Sequence, residues 1–217
     1  MSKQQQDAYV AEEFDRAAAR YDDSRLVRSY QHRVQALVVD SLDIKKGMNV
    51  LDLGCGTGWA TLEIASRLEG TGKVVGLDLS EGMIEQARQK LPRFRDDNVE
   101  FVLQSAGSLN YAGSFDYVIS TNAFHHFADR EKVFSNVWKS LTRGGTFVLQ
   151  DFCRDFWLMR FVDLMGKIGE RAHVGTTTSD ELCELFLIPG FVDVNVETIK
   201  LNWLWGIMIG RGMKPCV

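Results

Sequence analysis

Apolar positions along the chain alternate between two rhythms, short continuous runs and three-to-four-residue spacings. Short runs of five to seven residues predict buried strands, and the longer spacing predicts the helices that cover them. Two helices come first. Phe14, Ala17, Ala18 and Tyr21 share one face, and Leu26, Tyr30, Val34, Leu37, Val38 and Ser41 form a second stripe. The first strand is Asn49–Leu53, apolar on both faces except at Asp52. A glycine turn leads to a helix with an inner face of Thr61, Ile64, Ala65 and Leu68. The second strand is Lys73–Leu79. Ser80 is then a natural N-cap for a helix from Glu81 that buries Met83, Ile84, Ala87 and Leu91.

Strands follow at Val99–Leu103 and Phe115–Ser120. A helix with Val133, Phe134, Val137 and Leu141 is expected to stop at Gly144-Gly145, before a fifth strand Thr146–Gln150. Residues 152–177 break the rhythm with Phe152, Phe156, Trp157, Met159, Phe161 and Met165. Thr178-Ser179-Asp180-Glu181 reads as a capping box. Val192, Val194 and Val196 alternate with Asp193, Asn195 and Glu197, which places a sixth strand near a sheet edge. A seventh is expected over Trp203–Ile209. Strands alternating with helices predict an α/β fold, a mostly parallel sheet between helical layers.

Length and composition narrow the picture. A chain of 217 residues suits a single domain over 1–217, with 1–45 as N-terminal helices and 152–178 as a lid over an acceptor site. Hydrophobic residues at 45% and charged residues at 25% exclude a disordered chain. The net charge of −4 lacks the field that non-specific nucleic-acid binding needs. Arg88, Lys90, Arg93 and Arg95 cluster near a helix end, where cations offset the helix dipole. The four cysteines, Cys55, Cys153, Cys183 and Cys216, stand apart without zinc-type spacing. They fit free thiols in the cytoplasm. The polar start Met1–Gln6 lacks a secretory core, and the apolar stretch near Trp203–Ile209 is too short to span a bilayer.

Chemistry concentrates at Val50-Leu51-Asp52-Leu53-Gly54-Cys55-Gly56-Thr57-Gly58. A strand runs into alternating glycines and then a helix. Glycine permits a sharp turn and leaves main chain bare toward a ligand, with helix-start amides expected to face it. Asp78 ends the next strand about 20 residues on, where a carboxylate can accept both hydroxyls of a ribose. A nicotinamide fingerprint would need glycine where Trp59 stands, and no Gly-Lys-Ser/Thr completes a phosphate loop.

These residues resemble the class I S-adenosylmethionine-dependent methyltransferases, in particular the type 11 branch that holds the ubiquinone/menaquinone C-methyltransferases. Phe14-Asp15-Arg16-Ala17-Ala18-Ala19-Arg20-Tyr21-Asp22 resembles the branch's F-x-x-x-A-x-x-Y-D element. Phe115–Ser120 with Phe124-His125-His126-Phe127 resembles its fourth-strand motif. Leu141-Thr142-Arg143-Gly144-Gly145-Thr146 resembles its L-x-P-G-G turn, with Arg143 for proline. The likeness covers roughly residues 10–151.

It implies a three-layer Rossmann-like sandwich, with a seven-stranded sheet whose last strand is antiparallel. It implies S-adenosylmethionine as cofactor, S-adenosylhomocysteine as product, and a small, lipophilic organic acceptor. Gly54, Cys55, Gly56 and Gly58 would border the methionine part, with Asp52 orienting its ammonium and Tyr21 closing over it. Asp78 would hold the ribose. Leu79 and Met83 would pack on adenine, and Ser105 and Ala106 would meet its edge. Ser120 and Thr121, at the end of the fourth strand, complete the set. Ser105 stands where the family usually has Asp, and a hydroxyl is the weaker acceptor for an amine.

Methyl transfer needs a base only if the acceptor loses a proton. His125, His126 and Asp151 are the candidates, at the carboxyl edge of the sheet. His32 and His173 read as surface or lid residues. No metal is implied, since Ser120-Thr121-Asn122 supplies no acidic ligand. Nucleic acid and membrane are not expected partners, and the chain is expected to be a monomer or homodimer. The alternatives are a methyltransferase for a carrier-bound acyl group or macromolecule, and a non-catalytic S-adenosylmethionine-binding protein.

Overall fold

A computed structural model describes residues 2–91, 98–169, 174–201 and 206–216. Arg93, Arg95, His173 and Trp203, and the side chains of Leu26, Met165 and Lys167, lie outside what is described. The chain opens with α1 (Lys3–Ala18) and α2 (Arg25–Asp40). It continues through β1 (Asn49–Leu53), α3 (Trp59–Leu68), β2 (Lys73–Asp78), α4 (Glu81–Arg88) and β3 (Val99–Leu103). Next come β4 (Phe115–Thr121), α5 (Arg130–Ser140), β5 (Leu141–Phe152) and α6 (Trp157–Gly169). The chain ends with α7 (Ser179–Leu187), β6 (Val192–Lys200) and β7 (Gly206–Met213).

The seven strands form one sheet in the order β3-β2-β1-β4-β5-β7-β6, with β7 antiparallel to both of its neighbours. The order reverses between β1 and β4, and the crevice at the carboxyl ends of those strands is where ligands bind in open α/β sheets. Continuous apolar runs form the central strands because both faces are covered. Val38, Val39, Ile64, Ala65 and Leu68 pack against Val50, Val74 and Ile119 on one face. Leu51, Leu53 and Leu77 face the other way, toward a core of rings from Phe124, Phe134, Phe147, Phe186 and Phe191. Phe134 and Phe186 meet edge-on with centroids 4.9 Å apart, a favoured arrangement for aromatic quadrupoles.

Caps fall where the side chains dictate. Ser80 accepts from the Met83 amide at the start of α4. Thr178 and Glu181 form a reciprocal capping box on α7. β6 is an edge strand, as its alternation predicts.

Four expectations are corrected. Leu37, placed on the inner stripe, is 43% exposed, and Val39 is buried instead. β7 runs to Met213 rather than ending at Ile209. α5 stops at Ser140, so Leu141 and the Gly144-Gly145 pair belong to β5. The pair sits in a strand irregularity, where the β4–β5 register shifts between Phe115 and Tyr117. A Cβ at Gly145 would stand 3.0 Å from the Phe115 carbonyl oxygen, so a glycine stop signal serves here as a bulge.

Candidate functional site

A cavity of about 460 Å³ opens at the carboxyl ends of β1, β2 and β4. The glycine loop forms its floor. Gly54 and Cys55 donate their amides to the Leu77 carbonyl at 2.8 and 3.0 Å. The Gly58 amide donates to the Cys55 carbonyl at 2.9 Å, and the Gly56 amide to Asp78 Oδ2 at 2.9 Å. These four loop amides are thus spent on the loop's own fold, which disfavours a phosphate held through free N–H groups there. Gly56 has a φ of +53°, with open space where a Cβ would sit. At Gly58 a Cβ would lie 2.7 Å from the Phe101 ring, so this glycine supplies close helix–sheet packing.

Asp78 lines the cavity and ties loop to helix. Its Oδ1 accepts from the Ser80 amide at 2.9 Å while Oδ2 holds Gly56. Burial pushes its carboxyl above the ordinary range, against the amides of Ser80, Gly56 and Leu79. A carboxylate so placed has acceptor capacity left for a sugar diol. Leu79, Met83, Ser105, Ala106, Thr121 and Tyr21 also line the cavity.

Asp52, Gly58 and Ser120 do not. Period two on β1 turns Asp52 away from Leu51 and Leu53 toward α3, where it is 0% exposed and accepts from Thr61 Oγ1 at 2.7 Å. Burial raises its carboxyl to about 7, with the Thr61 hydroxyl opposing. Ser120 Oγ donates to the Leu53 carbonyl at 3.0 Å and ties β4 to β1.

His126 lines the cavity and His125 lies behind it, their ring centroids 4.0 Å apart. Asp151, at the end of β5, stands 2.7 Å from His125 Nδ1 and accepts the His125 amide at 2.7 Å. Burial acts to raise the Asp151 carboxyl, but the His125 ring and the amides of Phe152 and His125 together hold it below the usual range. An ionised carboxylate only accepts, so Nδ1 is the donor to Asp151 and the contact fixes the orientation of the His125 ring.

Among the described residues of 152–178 none lines the cavity, while α1 and α2 supply Asp7, Val10, Phe14, Gln31, His32 and Gln35. His32 stacks on Trp59 at 4.7 Å between centroids. Lys90 Nζ donates to Asp22 Oδ2 at 2.7 Å and to the Thr57 carbonyl at 2.8 Å, fastening the α1–α2 connection to the glycine loop. Asp15, within the quoted N-terminal element, accepts from Ser80 Oγ at 2.6 Å and from the Gly82 amide at 2.9 Å. The signal for Asp15 and Asp22 was thus present in the sequence. Asp7 had none, because its partner lies 98 positions away. Among the described residues, no three or more His, Cys, Asp or Glu side chains group as a metal site, and no helix is long and apolar enough to cross a membrane.

Comparisons with known proteins agree with this geometry. A family model described as a methyltransferase domain matches residues 44–185. The chain is 28% identical over 230 aligned residues to the demethylmenaquinone methyltransferase of Symbiobacterium thermophilum, covering 93% of this chain and 92% of that one. It is 29% identical over 158 residues to a ubiquinone/menaquinone biosynthesis C-methyltransferase of Klebsiella pneumoniae, a match over 71% of this chain and 63% of that relative. Phosphoethanolamine N-methyltransferase 2 of Haemonchus contortus, solved with S-adenosylhomocysteine, shares the fold at a TM-score of 0.72 and 19% identity. That match covers 85% of this chain and 52% of the other. The chain belongs to the class I S-adenosylmethionine-dependent methyltransferases.

Proposed function

We propose that this protein transfers the methyl group of S-adenosylmethionine to a small lipophilic acceptor, an aromatic ring of the hydroquinone kind, which gives up a proton during transfer. The observation that carries the reading is His126 on the cavity wall with the Asp151–His125 pair directly behind it. Phe14, Tyr21, Trp59 and Phe127 give the same cavity aromatic walls suited to such a ring. The relatives named for demethylmenaquinone and ubiquinone/menaquinone support the acceptor class.

When bound, the cofactor supplies an electrophilic methyl on a positive sulfur. The protein's own work is alignment, which can be worth roughly 7–11 kcal/mol. In this reading the Asp78 carboxylate takes the ribose hydroxyls, and Leu79 and Met83 pack on the adenine. The backbone of Gly54, Cys55 and Gly56 borders the methionine part, and Tyr21 closes over it. Gln31 Nε2 donates to Tyr21 Oη at 2.9 Å and holds that ring in place. His126 faces the acceptor and takes its proton, while the Asp151–His125 pair positions the imidazole.

The test supplies purified protein with S-adenosylmethionine and a demethylated naphthohydroquinone bearing a short prenyl tail. S-adenosylhomocysteine should form. His126→Asn should lower kcat by about 10²–10⁴-fold while the S-adenosylhomocysteine Kd holds. Turnover confined to a carrier-bound acyl acceptor, or a His126→Asn enzyme running at the wild-type rate, would overturn the proposal.

A further inference from the structure

The geometry points to Asp7, on the N-terminal helix, as the residue that reads the exocyclic amine of the adenine. The inference rests on the cavity being the nucleoside site. Ser105, at the adenine edge in that reading, is already committed. Its hydroxyl donates its one proton to Asp7 Oδ2 at 2.9 Å and accepts from the Gly107 amide at 3.2 Å. A hydroxyl so used has little capacity left to receive an amine.

The carboxylate beside it is different in kind. Both residues line the cavity. An ionised carboxylate accepts only, at about four lone-pair positions, and Ser105 takes one of them. It is also the stronger acceptor, because a charged partner roughly doubles a hydrogen bond. The acid missing from the end of β3 is thus delivered across the cavity by α1.

The helix is held in register for this. Lys3, Asp7, Val10 and Phe14 recur at helical spacing and all line the cavity, so one face of α1 looks into it. Lys3 Nζ pairs with Asp129 Oδ2 at 2.7 Å, at one end of that face. At the other end Asp15 grips Ser80 and Gly82, where a Cβ on Gly82 would lie 3.0 Å from Ala18 Cβ. Asp7 sits between the two anchors. Adenine recognition and docking of α1 then become one event.

The experiment compares equilibrium binding of S-adenosylhomocysteine and S-inosylhomocysteine, in which an exocyclic carbonyl oxygen replaces the amine. The wild type should prefer the adenosyl ligand by about tenfold or more, the scale of a charge-assisted hydrogen bond. In Asp7→Ala that preference should collapse to within about threefold, mostly through lost adenosyl affinity. Asp7→Asn, which can turn its amide N–H toward the exocyclic carbonyl, should narrow the gap in the same direction if the alanine variant folds poorly. A residue that merely docked α1 would weaken both ligands equally. An unchanged preference in both variants therefore overturns the inference and leaves the cofactor site standing. A wild-type protein that binds neither ligand overturns both.

Discussion

Asp52 shows how strand parity places a carboxylate. Its neighbours Leu51 and Leu53 are both 0% exposed and fill one core, so Asp52 must face the other. There it meets Thr61, and its Oδ1 is buried with no hydrogen-bond partner. With the folded carboxyl raised to about 7 and an unfolded value near 3.8, the folded state holds this proton more tightly. The resulting stability is complete below the unfolded value and is lost as pH rises through about 7. Denaturant unfolding of the wild type should weaken by on the order of 1–3 kcal/mol between pH 5 and pH 8, and Asp52→Asn should show a flatter profile. Parallel profiles would place the titration elsewhere. At this scale Asp78 was legible from its distance to the glycines, and Asp52 was legible as a residue but not as a position. The loop's amides could not be assigned, since the Leu77 carbonyl that takes two of them belongs to another strand.

Among the elements, α1 packs against α4 and turns one face to the cavity. Its anchors Lys3 and Asp15 are polar and exposed, so its seating depends on partners far along the chain. That is why the sequence shows a helix there and not a roof. Asp15→Ala removes two hydrogen bonds to the start of α4. It should cost about 1 kcal/mol each at most, and amide exchange in α1 should quicken while β1 and β4 stay protected. Equal quickening throughout would mean that α1 unfolds only with the whole molecule. β5 carries the complementary lesson. Helical periodicity continued through Leu141 and the glycine pair reads as a stop, but Leu141 pairs with Phe115 of β4 and both glycines exchange backbone hydrogen bonds with Lys214, which claims them for the sheet. Central strands escape such ambiguity because two covered faces leave little choice of residue, and β1 ends where its apolar run ends.

For the molecule as a whole, the seven strands and the reversal between β1 and β4 create a crevice on which most of the candidate residues converge. Glycine loop, Asp78 and His126 arrive from three strand ends, while α1 and α2 close the top. Topology was legible because alternating strands and helices leave few ways to cover a parallel sheet. The part played by α1 and α2 was not, since it depends on partners far along the chain; in α6, within the proposed lid, Trp157 and Phe161 are 65% and 57% exposed. The central claim is that a nucleoside sits on the glycine loop with its sugar held by Asp78. Calorimetric titration of S-adenosylhomocysteine into wild-type protein and a folded Asp78→Ala variant tests it most directly. Saturable binding that weakens by about 1–3 kcal/mol in the variant is the expected result, and equal affinity in the two proteins would contradict it.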